Sequence, residues 1–248
     1  MVETHFQAAD QPGAAAYTRG KRDQMAHRAS RVWSSCCRDR RERTRTASRA
    51  SEETGALTVG EAAVVRSGFE ALRSGEHPTI EDLASHSGLA PSMVGEIVGA
   101  FMRTGRADVN GDGCLTGIVG LTTETTRHRF TFGGTSLFTW CAFDAVGIPA
   151  ALQVDAAVHT TCGYCQGPLE VYIVAGSPPK VSPIRGWLPH IENCGNVRAE
   201  FCPDVNLFCS DEHLGAWRAA AGIEGQAMDL HALSNLGRRS WGPVDAGH

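Results

Sequence analysis

Residues 121–138 read Leu-Thr-Thr-Glu-Thr-Thr-Arg-His-Arg-Phe-Thr-Phe-Gly-Gly-Thr-Ser-Leu-Phe. Threonine and aromatic residues dominate, and Phe130 and Phe132 stand two apart, which is the pattern of a strand. The stretch marks a change of texture. Before it the apolar residues recur at helical spacing. After it come further strand-like runs, Leu169–Val174 and Val205–Phe208, with Gly and Pro between them, and a short helix at Leu214–Ala221. The fold class expected is therefore α+β, a helical N-terminal unit followed by a mixed, mainly antiparallel β-sheet body with short helices.

Upstream, Thr58-Val-Gly-Glu61 has the spacing of a capping box, and Ala62, Val65, Phe69 and Leu72 follow at helical intervals. Gly75–Pro78 breaks that helix. Thr79-Ile-Glu-Asp82 caps a second, Ser87-Gly88-Leu89 turns, and Pro91 opens a third with an apolar stripe of Val94, Ile97, Val98 and Phe101. Asn110-Gly-Asp-Gly113 is a tight turn. This is the order of a winged-helix-like unit over residues 57–130. Ser92, Gly95, Glu96, Gly99 and Arg103 would form the outer face of its third helix. One arginine against one glutamate is a poor surface for reading DNA, so a structural role is favoured.

The chain has 248 residues, 42% hydrophobic, 20% charged and 7% aromatic, with a net charge of −4. That composition suits a soluble domain with a core. No run of 18 apolar residues occurs, so a membrane span is not expected. The first thirty residues lack an apolar centre, so no secretion signal is expected and the reducing cytosol is the expected compartment. Residues 19–49 hold eleven Lys/Arg against Asp23, Asp39 and Glu42. Residues 1–56 are read as a basic, disordered extension, with Met25 as an alternative start. Residues 131–248 are read as the α+β catalytic domain.

Nine cysteines in a reducing compartment point to metal or thiol chemistry rather than disulfides. Cys36 and Cys37 lie in the basic extension, where no precise geometry is expected. Cys162-Gly-Tyr-Cys165 is a single C-x-x-C. His159 stands three residues before it, but no second pair has comparable spacing, so a packed role is favoured over a zinc site. Phe138-Thr-Trp-Cys-Ala-Phe-Asp144 is more informative. On a helical turn Cys141 and Asp144 share a face. Phe138, Trp140 and Phe143 imply a dry pocket, which raises a carboxyl pKa and lets Asp144 hold a proton near neutrality.

The segment Leu137-Phe-Thr-Trp-Cys-Ala-Phe-Asp144 resembles the signature of the organomercurial lyase (alkylmercury lyase) family, with Phe143 in place of the usual Leu. His159-Thr-Thr-Cys162 occupies the place of a Ser-x-x-Cys segment. Arg198-Ala-Glu-Phe-Cys202 and Val205–Ser210 occupy the place of a later Phe-Cys followed by a strand. Leu214, Trp217, Gly225 and residues 229–237 also fit, so the resemblance spans about residues 57–240. It implies an active site of Cys141, Asp144 and Cys202, and a structural role for Cys162. Pro203 departs from the pattern, because many members carry a second cysteine there. Cys165, Cys194 and Cys209 receive no role.

The chemistry the resemblance implies is protonolysis of a carbon–mercury bond, for mercury detoxification. Thiolates are the preferred protein ligands of a soft cation, and the carbon needs a proton from a positioned acid. Cys141, Cys202 and Asp144 would then hold the Hg(II) product. The implied partners are a small organomercurial, low-molecular-weight thiols and a mercuric reductase as Hg(II) acceptor. No organic cofactor, membrane or nucleic acid is expected. The alternatives are a winged-helix metal- or thiol-responsive transcriptional regulator without catalysis, and a structural zinc protein using Cys162 and Cys165.

Overall fold

The computed structural model describes residues 57–191 and 194–245, with side chains through residue 242. The basic extension, with Cys36 and Cys37, lies outside the described residues.

Capping and apolar spacing account for the first three helices. Helix α1 (Val59–Arg73) begins at Thr58, whose hydroxyl accepts the Glu61 N–H at 3.2 Å while the Glu61 carboxylate accepts the Thr58 N–H at 2.8 Å. This reciprocal pair satisfies two otherwise orphaned donors. Ala62, Val65, Phe69 and Leu72 are its buried face. Helix α2 (Ile80–Ser87) repeats the device with Thr79 and Asp82, and closes on Gly88 at φ 70°, a conformation glycine adopts without strain. Helix α3 (Pro91–Arg103) starts on Pro91, where the missing N–H has no partner to lose. Val94, Val98 and Phe101 are buried, and Ile97 packs beside them. Ser92, Glu96 and Arg103 face solvent.

Strands β1 (Ala107–Val109) and β2 (Leu115–Ile118) follow, joined by a turn in which the Asn110 side chain accepts the N–H groups of Asp112 and Cys114 at 3.0 and 2.9 Å. The 121–138 stretch becomes three strands, β3 (Leu121–Thr122), β4 (His128–Phe132) and β5 (Thr135–Thr139). With β6 (Ala156–Thr161) and β7 (Pro168–Ile173) they form a seven-stranded sheet ordered β1-β2-β3-β5-β4-β6-β7, antiparallel at every pairing. In β7 the buried residues are Leu169, Val171 and Ile173, with Glu170 and Tyr172 turned outward, the period of a sheet wet on one face. Strands β8 (Arg185–Pro189), β9 (Asn206–Phe208) and β10 (Gly225–Asp229) form a second antiparallel sheet, ordered β10-β8-β9.

The mixed α+β class with a mainly antiparallel sheet is as expected. The division at residue 130 falls inside β4, and the large sheet runs through it, so the described residues form one compact unit. The expected helix at Leu214–Ala221 starts three residues earlier, as α5 (Asp211–Ala221), because the Ser210 hydroxyl accepts the His213 N–H at 3.3 Å and caps it there. Strand β10, Gly-Gln-Ala-Met-Asp, has no strand-like composition. It pairs because β8 supplies an edge along its whole length.

Helix α4 (Ala142–Ala151) is buried on every side, as expected of a helix apolar all round. Helix α6 (Leu230–Asp245) lies across it. The helices meet at two glycines. A β-carbon on Gly147 would stand 3.1 Å from the Gly237 Cα, and one on Gly237 would overlap the Gly147 backbone. Trp241 of α6 reaches past this crossing, stacking on Phe143 at 5.0 Å and donating its indole N–H to the Val119 carbonyl at 2.8 Å. Overpacking such a contact costs about 1–3 kcal/mol. Gly237→Ala should therefore lower the unfolding free energy in urea by about that amount; an unchanged midpoint would show that the helices do not need the close approach.

Candidate active site

Strand β5 delivers the chain to the start of α4, and that junction makes the site. Cys141 is the N-cap, with extended backbone (φ −146°, ψ 172°), and Asp144 is the third helical residue. The Asp144 carboxylate turns back to accept the Cys141 N–H at 2.9 Å. The Thr139 hydroxyl donates to the Cys141 carbonyl at 3.1 Å. The junction is thus tied on both sides of Cys141. Gly120 forms the wall against Asp144. Its φ is +96°, and a β-carbon there would stand 2.7 Å from the Asp144 carboxyl carbon.

Cys202 approaches from the other side. It ends a π-helical turn, Val197–Phe201, and begins a 3-10 turn, Cys202–Asp204. The segment is braced from the helical region: the Val197 N–H donates to the Thr104 carbonyl at 2.9 Å, and Asn196 sits against Gly105. Arg198, four residues before Cys202, ion-pairs with Asp108 and lies 3.5 Å from Glu124. Its guanidinium also stands 5.4 Å from the Trp140 ring centre. The segment that precedes Cys202 and the residue that precedes Cys141 therefore meet at one arginine. Sequence reading placed Arg198 in the motif without a role; a cation one helical turn before the cysteine was the available signal.

The Cys141 thiol, the Asp144 carboxyl and the Cys202 thiol lie within 4.8 Å of one another, and all three residues are buried. The sequence-expected trio is thus brought together. Burial governs its electrostatics. It pushes the Cys141 thiol well up, and the neighbouring Cys202 thiol and Asp144 carboxylate push the same way. Burial likewise raises the Asp144 carboxyl from 3.8 to about 6, although hydrogen bonds from the Cys141 thiol and N–H pull it back. A carboxyl near 6 can both take a proton from a thiol and give one up near neutrality. Of the expected aromatic surround, Trp140 and Phe143 are buried, the latter against Trp241, while Phe138 is half-buried.

The remaining cysteines sort differently from the expectation. Cys162 and Cys165 meet Cys209 and His213, with all four ligand atoms within 4.8 Å of one another. Burial pushes the Cys162 thiol up, but N–H groups of Cys165, Cys209 and Tyr164 and the His213 ring bring it down to about 6. His159, the histidine nearest in sequence, is instead 3.4 Å from Glu170 on the neighbouring strand. Cys194 is exposed, and partial burial, Glu200 and Cys202 push its thiol up.

Two buried thiols and a carboxyl at one point form a group that could hold a soft metal ion. The family model described as alkylmercury lyase matches residues 121–242. The alkylmercury lyase of Bacillus cereus is 26% identical over 151 residues, which is 60% of this chain and 67% of that protein. That of Streptomyces lividans is 27% identical over 60% of this chain and 68% of its own length. That of Pseudomonas putida is 29% identical over 109 residues, 43% of this chain and 51% of its own. Over residues 121–242 the chain is similar to the alkylmercury lyase family. In fold it is similar to the mercury-bound form of MerB2, with a TM-score of 0.68 and 23% identity over 75% of this chain and 91% of that one.

Asp144 has a consequence for stability. Its carboxyl is at about 6 when folded against an ordinary 3.8, so between those values the folded chain holds the extra proton. That contribution is complete below the lower value and is lost as pH rises through the upper one. Two units correspond to about 3 kcal/mol. His128 acts in the opposite sense, since burial and then the Arg127 charge hold it down to about 3, but it is common to wild type and variant. At pH 4 the unfolded carboxyl is already more than half ionised, so the unfolding free energy of wild type minus that of Asp144→Asn should fall by about 2.5 kcal/mol between pH 4 and pH 7. A difference that stays flat would mean the carboxyl is not raised.

Proposed function

We propose that Cys141, Asp144 and Cys202 carry out protonolysis of organomercurials, releasing hydrocarbon and leaving Hg(II) on the protein. The observation that supports this most is the place of Asp144. A thiol-only metal sensor has no use for an acid held near 6 beside its sulfurs, whereas carbon–mercury cleavage needs one. The relatives named above are alkylmercury lyases, in keeping with this reading over a transcriptional regulator.

The steps balance as follows. Asp144 takes the proton of the Cys141 thiol, and the thiolate binds mercury in R–Hg–X, displacing X⁻. The Cys202 thiol adds to the same mercury and its proton leaves to solvent. Two sulfurs on mercury enrich the metal–carbon bond in electron density. Asp144 then gives its proton to carbon, the carbon–mercury bond breaks with its electron pair going to carbon, and RH departs. Hg(II) stays on Cys141 and Cys202, with Asp144 as an oxygen ligand. Arg198, held by Asp108 and Glu124, acts as a positioning residue for Cys202. No organic cofactor takes part.

Low-molecular-weight thiols or a mercuric reductase would remove the bound Hg(II), in a cytoplasmic setting. Among the described residues no helix is long and apolar enough to cross a membrane. The three N-terminal helices and the β1–β2 hairpin are read as a winged-helix-like unit whose work is structural, bracing residues 196–198. Its outer face, with Glu96 and Arg103, has little to offer a phosphate backbone.

With methylmercury and excess thiol, the wild-type chain should release methane. Cys141→Ala and Cys202→Ala should each abolish it, and Asp144→Asn should still bind the mercurial but turn over about 10²–10⁴-fold more slowly. Gas chromatography of the headspace reads this directly; near-wild-type release from either cysteine variant would remove that residue from the mechanism.

A further inference from the structure

We propose that Cys162, Cys165, Cys209 and His213 form a second metal centre, a closed tetrahedral Cys3His zinc site separate from the two-thiol site. Two stretches far apart in sequence converge to make it. Cys162 follows directly on β6 and opens a tight turn, in which its carbonyl accepts the Gln166 N–H at 3.0 Å and its own N–H donates to Gly167 at 2.8 Å. Cys165 projects from that turn. Cys209 follows β9 directly, Ser210 caps α5, and His213 sits in the first turn of α5. The cap aims the ring: His213 Nδ1 is 2.9 Å from the Cys209 sulfur and 3.7 Å from the Cys162 sulfur.

The fit to zinc is geometric and chemical. Bonds of about 2.3 Å to sulfur and 2.0–2.1 Å to nitrogen at tetrahedral angles place donor atoms about 3.5–3.8 Å apart. The four donor atoms already lie within 4.8 Å of one another, so small side-chain rotations close the set. Backbone N–H groups of Tyr164, Cys165 and Cys209 point at the Cys162 sulfur, the arrangement that stabilises a ligating thiolate. The Tyr164 ring lies against His213, with centroids 5.1 Å apart, and shields the imidazole. Four protein ligands leave no open position, which marks a structural centre rather than a catalytic one.

The site would act as a clasp. It joins the turn after β6, in the large sheet, to the end of β9 in the small one. The natural contact between them is short: one parallel bridge between Cys162 and Leu207, and the Gly163 N–H donating to the Leu207 carbonyl at 2.8 Å. A β-carbon on Gly163 would stand 2.9 Å from both Asn206 and Phe208, so the strands are already pressed together. Strand β9 starts four residues after Cys202. Fixing β9 thus fixes the segment from which Cys202 reaches Cys141.

The proposal is independent of the reaction above and is tested without it. The full chain is expressed in zinc-supplemented, mercury-free medium, purified under reducing conditions, and its metal content measured by mass spectrometry. About one zinc per chain is expected for wild type. The Cys141→Ser/Cys202→Ser double variant should keep it, Cys165→Ser and His213→Ala should lose it, and His213→Cys should restore it. Cobalt substitution of wild type should give the intense absorption of tetrahedral cobalt with thiolate charge transfer, which holds even if His213→Ala fails to fold. A wild-type chain that neither contains nor takes up zinc overturns the proposal. So does zinc retained in Cys165→Ser and His213→Ala, or lost with Cys141 and Cys202.

Discussion

The hydrogen bond from the Cys141 N–H to the Asp144 carboxylate is the constraint on which the rest of the site depends. It closes the first turn of a helix buried on all sides and holds a buried acid against a buried thiol. An isolated carboxylate in such a place is costly, and the protein meets the cost by moving the pKa rather than supplying a full counter-ion. The shift that brings the Asp144 carboxyl to about 6 is thus the same fact as its burial. Arg198 is near enough to feel the charge of Cys202, but its ion pairs go to Asp108 and Glu124, leaving Asp144 free to hold its proton.

The architecture reads as a set of braces around that turn. Gly120 leaves the space Asp144 fills, and Trp241 of α6 holds the neighbouring Val119 carbonyl. The glycine crossing of α4 and α6 brings the two helices close enough for that reach. On the far side, residues 104–108 and Glu124 hold the π-helical segment that ends at Cys202. Cys141 and Asp144 come from the start of α4, and Cys202 from the segment before β9. Their meeting therefore rests on how the two sheets are joined, and the Cys3His cluster sits at that join.

Much of this was legible in the sequence. The caps at Thr58 and Thr79, the Asn110 turn and the strand-like run at Leu169–Val174 each express a local rule, and each formed close to where it was read. Cys141 and Asp144 were legible because a spacing of three on a helix is a local relation. The second cluster was not. A search for a second C-x-x-C misses it, because the other half is a cysteine and a histidine four apart, brought near only by tertiary pairing of Cys162 with Leu207. Strand β10 was hidden for a like reason, since its residues favour no strand until β8 offers an edge. The expected boundary at residue 130 failed to divide the chain because strand pairing ignored the change of texture.

The central claim is that two sulfurs capture mercury and a carboxyl proton frees its carbon. It is tested most directly by a single turnover without added thiol. The purified, reduced chain is mixed with a stoichiometric amount of methylmercury, and the metal's ligands are read by mercury X-ray absorption while methane is counted. The account predicts one methane per mercury and a final mercury centre with sulfur ligands and no carbon, absent from the Cys141→Ala/Cys202→Ala variant. Mercury that keeps its carbon on the wild-type protein, with no methane released, would contradict it.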